Sequence, residues 1–222
     1  MVNLSKKAKT QRVAATADKL DTKQKILAAA ETEFMTRGYD GSRMQAIADR
    51  AGLNKAMLHY HFRSKDELFE QIFRDKASLL FPKAHEGLRA HTNFIEFTCG
   101  FVDMYLALLN QHPYLPFYML QVATANAVLF SQVAADFPVK FVRAFTAAAK
   151  AGQIRDHDPQ QFLLSLVGMC MWPFIGKNMI QHNLGLSDAV FATLLEQRAA
   201  EVKRYVVLLL TPEARAATRK KS

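Results

Sequence analysis

Lys55, Ala56, Met57, His59 and Tyr60 stand together, and Lys65 follows them closely. Their side chains suit one kind of chemistry, the reading of a polyanionic surface with base edges exposed. A lysine can donate to the guanine acceptors O6 and N7 or to a phosphate, and a histidine to a purine N7. Ala56 and Met57 offer apolar surface for a thymine methyl. Tyr60 is suited to lie on a sugar-phosphate backbone with its hydroxyl on a phosphate. Ser42 and Arg43, at the start of the preceding helix, are placed to clamp a second phosphate. Phosphate contacts would give affinity and register, and base contacts specificity.

No competing chemistry has a comparable pattern. There is no GxSxG, no glycine-rich phosphate loop and no paired carboxylates in an apolar run. Cys170, the one nucleophile candidate, sits in an apolar stretch that reads as core. His59 and His61 lie about 200° apart on a helix, so they cannot share an ion within it. These points exclude an enzyme, and they imply no metal and no cofactor.

Three helices must position the reading residues. Thr22 caps the first, whose inner stripe is Ile26, Leu27, Ala30 and Phe34 and which Gly38 stops. Ser42 with Gln45 has the form of a capping box, which predicts a second helix from Arg43. Gly52 ends it, and Asn54 is the N-cap of a third helix over Lys55–His61, with Leu58 and Phe62 inward. A second box, Ser64 with Glu67, opens a long helix with Leu68, Phe69, Ile72 and Phe73 inside. Small Ala48 and Ala51 and the glycine turn let two helices cross closely, as a helix-turn-helix requires. Lys65 then sits against its own helix dipole. A bound phosphate between the lysine and the free amides would relieve that conflict.

The stretch KQKILAAAETEFMTRGYDGSRMQAIADRAGLNKAMLHYHFRSKDELF resembles the N-terminal domain of the TetR family of bacterial transcriptional regulators. The resemblance covers about residues 22–76 and rests on Phe34, Gly38-Tyr39, Ile47-Ala48, Ala51-Gly52-Leu53, Leu58, Phe62, Ser64-Lys65 and Leu68. Two positions depart from it: His59 stands where the family most often has tyrosine, and Met57 where threonine is frequent. The resemblance implies an all-α fold of about nine helices, with a small head and a larger C-terminal bundle. It also implies a homodimer formed through the last two helices, a palindromic double-stranded DNA operator, and a pocket for a small hydrophobic or aromatic effector.

Composition agrees with this division. The formal charge is +9, which favours polyanionic partners. Residues 1–76 hold 15 Lys+Arg against 10 Asp+Glu, residues 77–210 hold 10 against 9, and residues 211–222 hold 4 against 1. The expected organisation is a flexible basic arm (1–21), a DNA-binding head (22–76), a ligand-binding and dimerisation domain (77–210) and a basic tail (211–222). Cys99 and Cys170 read as buried free thiols of a reducing cytosol, and no secretory leader is visible. The apolar run Phe162–Gly176 is shorter than the ~20 residues of a bilayer span, so it reads as a buried helix and no membrane is implied.

Within the bundle, helices are expected over about Asn93–Gln111, Tyr114–Ser131, Pro138–Ala151, Pro159–Asn183 and, capped by Ser187, to Leu210. Pro173 predicts a kink. Phe101, Met104, Phe117, Met119, Met169, Trp172 and Phe174 are candidates for lining an effector pocket, methionine adapting to irregular shapes and aromatics giving flat walls. Leu195, Ala199, Val202, Val206 and Leu209 recur at heptad-like spacing and are candidates for the dimer interface. The expected function is a ligand-responsive regulator, a repressor released by its effector. The alternative is an architectural or cell-cycle DNA-binding protein of the same fold without a small ligand.

Overall fold

The computed structural model describes residues 2–90 and 93–212, with side chains from Lys19 onward except that of Ala125. Among these residues there are eleven helices and no strand. Two compact units divide the chain, Met1–Arg74 and Asp75–Ser222.

The first unit holds α1 (Val2–Gly41), α2 (Met44–Arg50), α3 (Lys55–His61) and the start of α4 (Lys65–Ala90). α1 does not begin at Thr22. It runs back to Val2, through the residues expected to form an arm, because no glycine or proline interrupts it before Gly38. At Gly38 the backbone turns to φ 69°, a conformation that costs glycine little. Ile26, Ala30, Phe34, Ile47, Leu58, Phe62, Leu68 and Phe73 are all buried and form this unit's core.

The second unit contains α5 (Phe94–Gln111), α6 (Leu115–Ala125), α7 (Ala127–Ala134), α8 (Phe137–Lys150), α9 (Pro159–Ile175), α10 (Lys177–Leu184) and α11 (Asp188–Leu210). Eleven helices replace the expected nine partly because two long ones break. Asn126 closes α6 through its N–H on the Val122 carbonyl, and its side chain then accepts from Leu129 N to open α7. Gly176 separates α9 from α10 with a bend of 74°. The expected kink therefore falls three residues after Pro173. Among the described residues no single helix is long and apolar enough to cross a membrane.

Phenylalanines make the bundle's centre. Phe94 of α5 packs edge-on against Phe141 and Phe145 of α8 at 5.3 and 5.4 Å. Phe101 stacks on Phe137 at 5.7 Å, and Phe162 of α9 meets Phe145 at 5.3 Å. α11 packs on α5 and α9 through Phe191, Val202, Val206 and Leu210. The Lys203–Asp103 ion pair, 2.7 Å long, ties α11 to α5 at the surface.

Pro173 has its consequence elsewhere. A proline cannot donate to the carbonyl four residues back, which here is that of Met169. Arg198 of α11 supplies the missing donors: its Nε and Nη2 reach the Met169 oxygen at 3.0 and 2.8 Å.

Candidate nucleic-acid interface

α3 is a seven-residue helix set by three local features. The Asn54 side chain accepts from Met57 N at 2.8 Å, Gly52 makes the preceding turn at φ 69°, and Leu58 and Phe62 anchor one side in the core. The other side faces solvent. Lys55, Ala56, Met57, His59 and Tyr60 are all exposed, Met57 by 45% and Tyr60 by 68%. Lys55 and His59 make no hydrogen bond or ion pair among the described residues, so both are available to a ligand. His61 is half-buried, its ring set edge-on to Tyr60.

One residue of this surface had no local signal in sequence. Lys19 of α1 donates to the Tyr60 hydroxyl at 3.2 Å and lies 5.6 Å from the centre of its ring. It adds a cation beside the reading face from 41 residues away in the chain. Only the basic character of residues 1–21 pointed toward it.

Two expected phosphate contacts are corrected. Ser42 is 3% exposed, and its hydroxyl donates to the carbonyls of Glu33 and Gly38. It therefore closes the turn after Gly38 instead of capping α2. The N-cap of α2 is Arg43, which makes no side-chain cap and stays exposed. Lys65 does not wait for a phosphate. Its ammonium donates to the carbonyls of Tyr39 at 2.7 Å and Ser42 at 3.3 Å, and lies 4.2 Å over the Tyr39 ring. These carbonyls, where the chain leaves α1, offset the unfavourable dipole position. Half of the box at Ser64 forms: Glu67 N–H donates to the Ser64 hydroxyl, while the Glu67 carboxylate accepts from Arg63 N, one residue before the N-cap. Tyr39 also donates to the Asp66 carboxylate. Nearby, the buried Glu33 carboxylate is flanked by Arg37 at 3.3 Å and Arg50 at 3.4 Å, which couples α1 to α2.

The family model described as bacterial regulatory proteins, tetR family, matches residues 26–72, from the core of α1 through α3 into α4. This head is a TetR-family domain. The curated relatives resemble only part of the chain. The transcriptional repressor KstR2 of Mycolicibacterium smegmatis is 30% identical over 97 residues, 43% of this chain and 47% of that protein. The transcriptional activator FasR of the same organism is 38% identical over 68 residues, 31% of each. The negative regulator IcaR of Staphylococcus aureus is 45% identical over 49 residues, 22% of this chain and 26% of that one. The chain thus spans less than half the length of these relatives. Solved structures extend the likeness to the whole fold. AibR in complex with isovaleryl coenzyme A and operator DNA has a TM-score of 0.66 at 22% identity, covering 86% of this chain and 99% of that one. FadR of Bacillus subtilis with stearoyl-CoA has a TM-score of 0.62 at 16% identity, covering 83% and 97%.

In the second unit, the residues expected to line a pocket do not converge. Phe101 and Met104 line a cleft between α4 and α5 of about 140 Å³. Met119 and Phe174 are buried in the bundle, and the Met119 sulfur accepts from the buried Tyr105 hydroxyl. Phe117 and Trp172 are 44% and 51% exposed, and Met169 is half-buried with its carbonyl on Arg198. The space a cavity would take at the bundle centre is filled by the phenylalanines.

The proposed dimer seam is corrected as well. Val202 and Val206 are fully buried in their own chain, Leu195 and Ala199 are half-buried on the same side, and only Leu209 is exposed. The most apolar stripe of α11 is the face its own core takes. Its outward seam runs through Val190, Leu194, Gln197, Glu201 and Leu208. The matching outward seam of α9 is Gln161, Ser165, Gly168 and Trp172, all exposed. Both thiols are free; burial pushes Cys170 up to about 12, and Cys99 is also raised by burial.

Proposed function

We propose that this chain is a ligand-responsive transcriptional repressor that binds a palindromic operator as a homodimer. The observation that carries the DNA reading is the exposed Lys55–His59–Tyr60 face of α3, held by Leu58 and Phe62 and extended by Lys19. Lys55, Met57 and His59 read bases, while Arg43 and Tyr60 hold the backbone. Two relatives named as negative regulators, KstR2 and IcaR, support repression.

Dimerisation uses the outward seams of α9 and α11. Exposed Leu164 and Trp172 flank small Ser165 and Gly168, and α9 carries no charged residue. Such a surface desolvates at little cost against a second copy. Two heads would then read half-sites one turn, or a multiple of it, apart.

The effector acts through differential affinity for two states, since only that can shift an equilibrium. α4 starts directly after α3 and reaches the α4–α5 cleft in one helix, interrupted in its hydrogen bonding at Pro82. That helix is the element an effector would displace. The acyl-coenzyme A molecules in the AibR and FadR structures support an effector with an apolar body.

Selection of bound sequences from a random duplex pool tests the core of this reading. The expected result is an inverted repeat, lost when Lys55 and His59 are both replaced by Ala. Enrichment of a single, unrepeated half-site, or of nothing, would refute it.

A further inference from the structure

Gly87 of α4 and Gly100 of α5 stand inside helices, where glycine costs about 1 kcal/mol against alanine. Neither has a left-handed backbone that would require it. What their missing side chains provide is room. A Cβ on Gly100 would meet nothing within 4 Å, and one on Gly87 would lie 3.5 Å from the Phe97 ring. Both line the cleft of about 140 Å³, whose other walls include Phe97, Phe101 and Met104. At its edge stands Lys83, one turn before Gly87, exposed and without a hydrogen bond or ion pair among the described residues. The cleft is therefore apolar within and carries one unanswered positive charge at the rim.

We propose that this cleft binds a small monocarboxylate with a compact apolar body about the size of a benzene ring. The size follows from the volume, since an apolar cavity of about 150 Å³ holds benzene. The charge follows from Lys83. An upper limit on length follows from Phe97, whose ring closes the cleft and is held against Phe94, Phe101 and Phe141 at 5.8, 6.4 and 6.2 Å. Behind it lies a second hollow of about 360 Å³, walled by Phe97 itself, Leu88, Phe94 and the alanines of α8. A long chain would have to turn Phe97 out of its ring contacts to reach it. The proposal deepens the ligand-responsive reading and depends on it only for the consequence at the operator.

The probe is 4-fluorobenzoate at millimolar concentration with the full chain, read by fluorine NMR line broadening. The wild type should broaden the signal, and excess unlabelled benzoate should sharpen it again. Gly100→Leu fills the open space and should abolish the broadening, while its circular dichroism melting stays at or above wild type through better helix propensity. Should that variant fail to fold, Gly100→Ala must still weaken binding. Lys83→Gln should weaken the carboxylate about 2- to 5-fold, as an exposed ion pair would, and leave 4-fluorobenzamide unchanged. No broadening by the wild type, or equal broadening by Gly100→Leu, overturns the site. Binding that is lost in Gly100→Leu but leaves operator affinity unmoved in the wild type upholds the site and sinks the effector reading instead.

Discussion

α3 and α9 turn opposite chemistries outward. α3 is seven residues long and shows solvent Lys55, His59 and Tyr60. α9 is seventeen residues long, has no charged side chain, and shows solvent Leu164, Gly168 and Trp172. A helix as short as α3 has no stability of its own, so its geometry is lent by Leu58 and Phe62. α9 is fixed along its length by the phenylalanine core and by Arg198. A cationic face held on two apolar anchors suits a charged, hydrated partner. A long uncharged face with small residues suits a partner that excludes water. In both helices the buried side is what makes the exposed side usable, and the exposed side alone tells what it meets.

The largest effect expected from breaking this arrangement is at the anchors. Leu58→Ala should cost about 2–5 kcal/mol, as for other fully buried leucines. Denaturant unfolding should register that loss, together with loss of operator binding. A variant of full stability would mean that α3 is not held as described. Next comes Arg198→Ala, which leaves a carbonyl without its charged donors and should cost about 1.5–3 kcal/mol. The same change in a Pro173→Ala background should cost clearly less, because the restored N–H can reach Met169. Equal costs in the two backgrounds would separate the proline from the arginine.

Trp172→Glu places a charge on the uncharged face. Sedimentation should show a monomer whose circular dichroism is unchanged, and a persistent dimer would move the interface elsewhere. A finer contrast lies within the head. Arg43→Met, which removes a backbone cation, should lower the salt slope of operator binding by about 1 per subunit, whereas Lys65→Met should lower stability and leave that slope alone. Identical slopes for the two variants would put Lys65 back on the DNA. The last effect shows only in alkali and belongs to Cys170. Its thiol is raised in the fold, so the native state keeps a proton that the unfolded chain releases. That contribution is complete below pH 9 and fades as pH climbs from there toward about 12. Thermal melts should fall over that range, and less so for Cys170→Ala after allowing for its own cavity.

The head was the more legible region because its signals are local. Asn54, Gly52 and the Ser64 cap each act within four residues, and the structure uses them as the sequence suggested. Ser42 and Lys65 were misread because their partners, Glu33, Gly38 and Tyr39, come from an earlier helix. In the bundle the heptad spacing of α11 was real, but periodicity cannot say whether a stripe meets its own chain or another. The methionines and aromatics were similarly ambiguous: hydrophobic spacing finds the core, and a cleft depends on what is missing, as at Gly100.

The bond between Arg198 and the Met169 carbonyl also orders events in time. At about 5–20 residues per second of synthesis, the 29 residues between them emerge over a few seconds. During that interval the carbonyl exposed by Pro173 has only water to answer it. Whatever packs around the middle of α9 has to leave that oxygen wet until the last helix is made. A ribosome-bound chain stopped before Arg198 should therefore hold α9 open to solvent exchange, and release of α11 should close it.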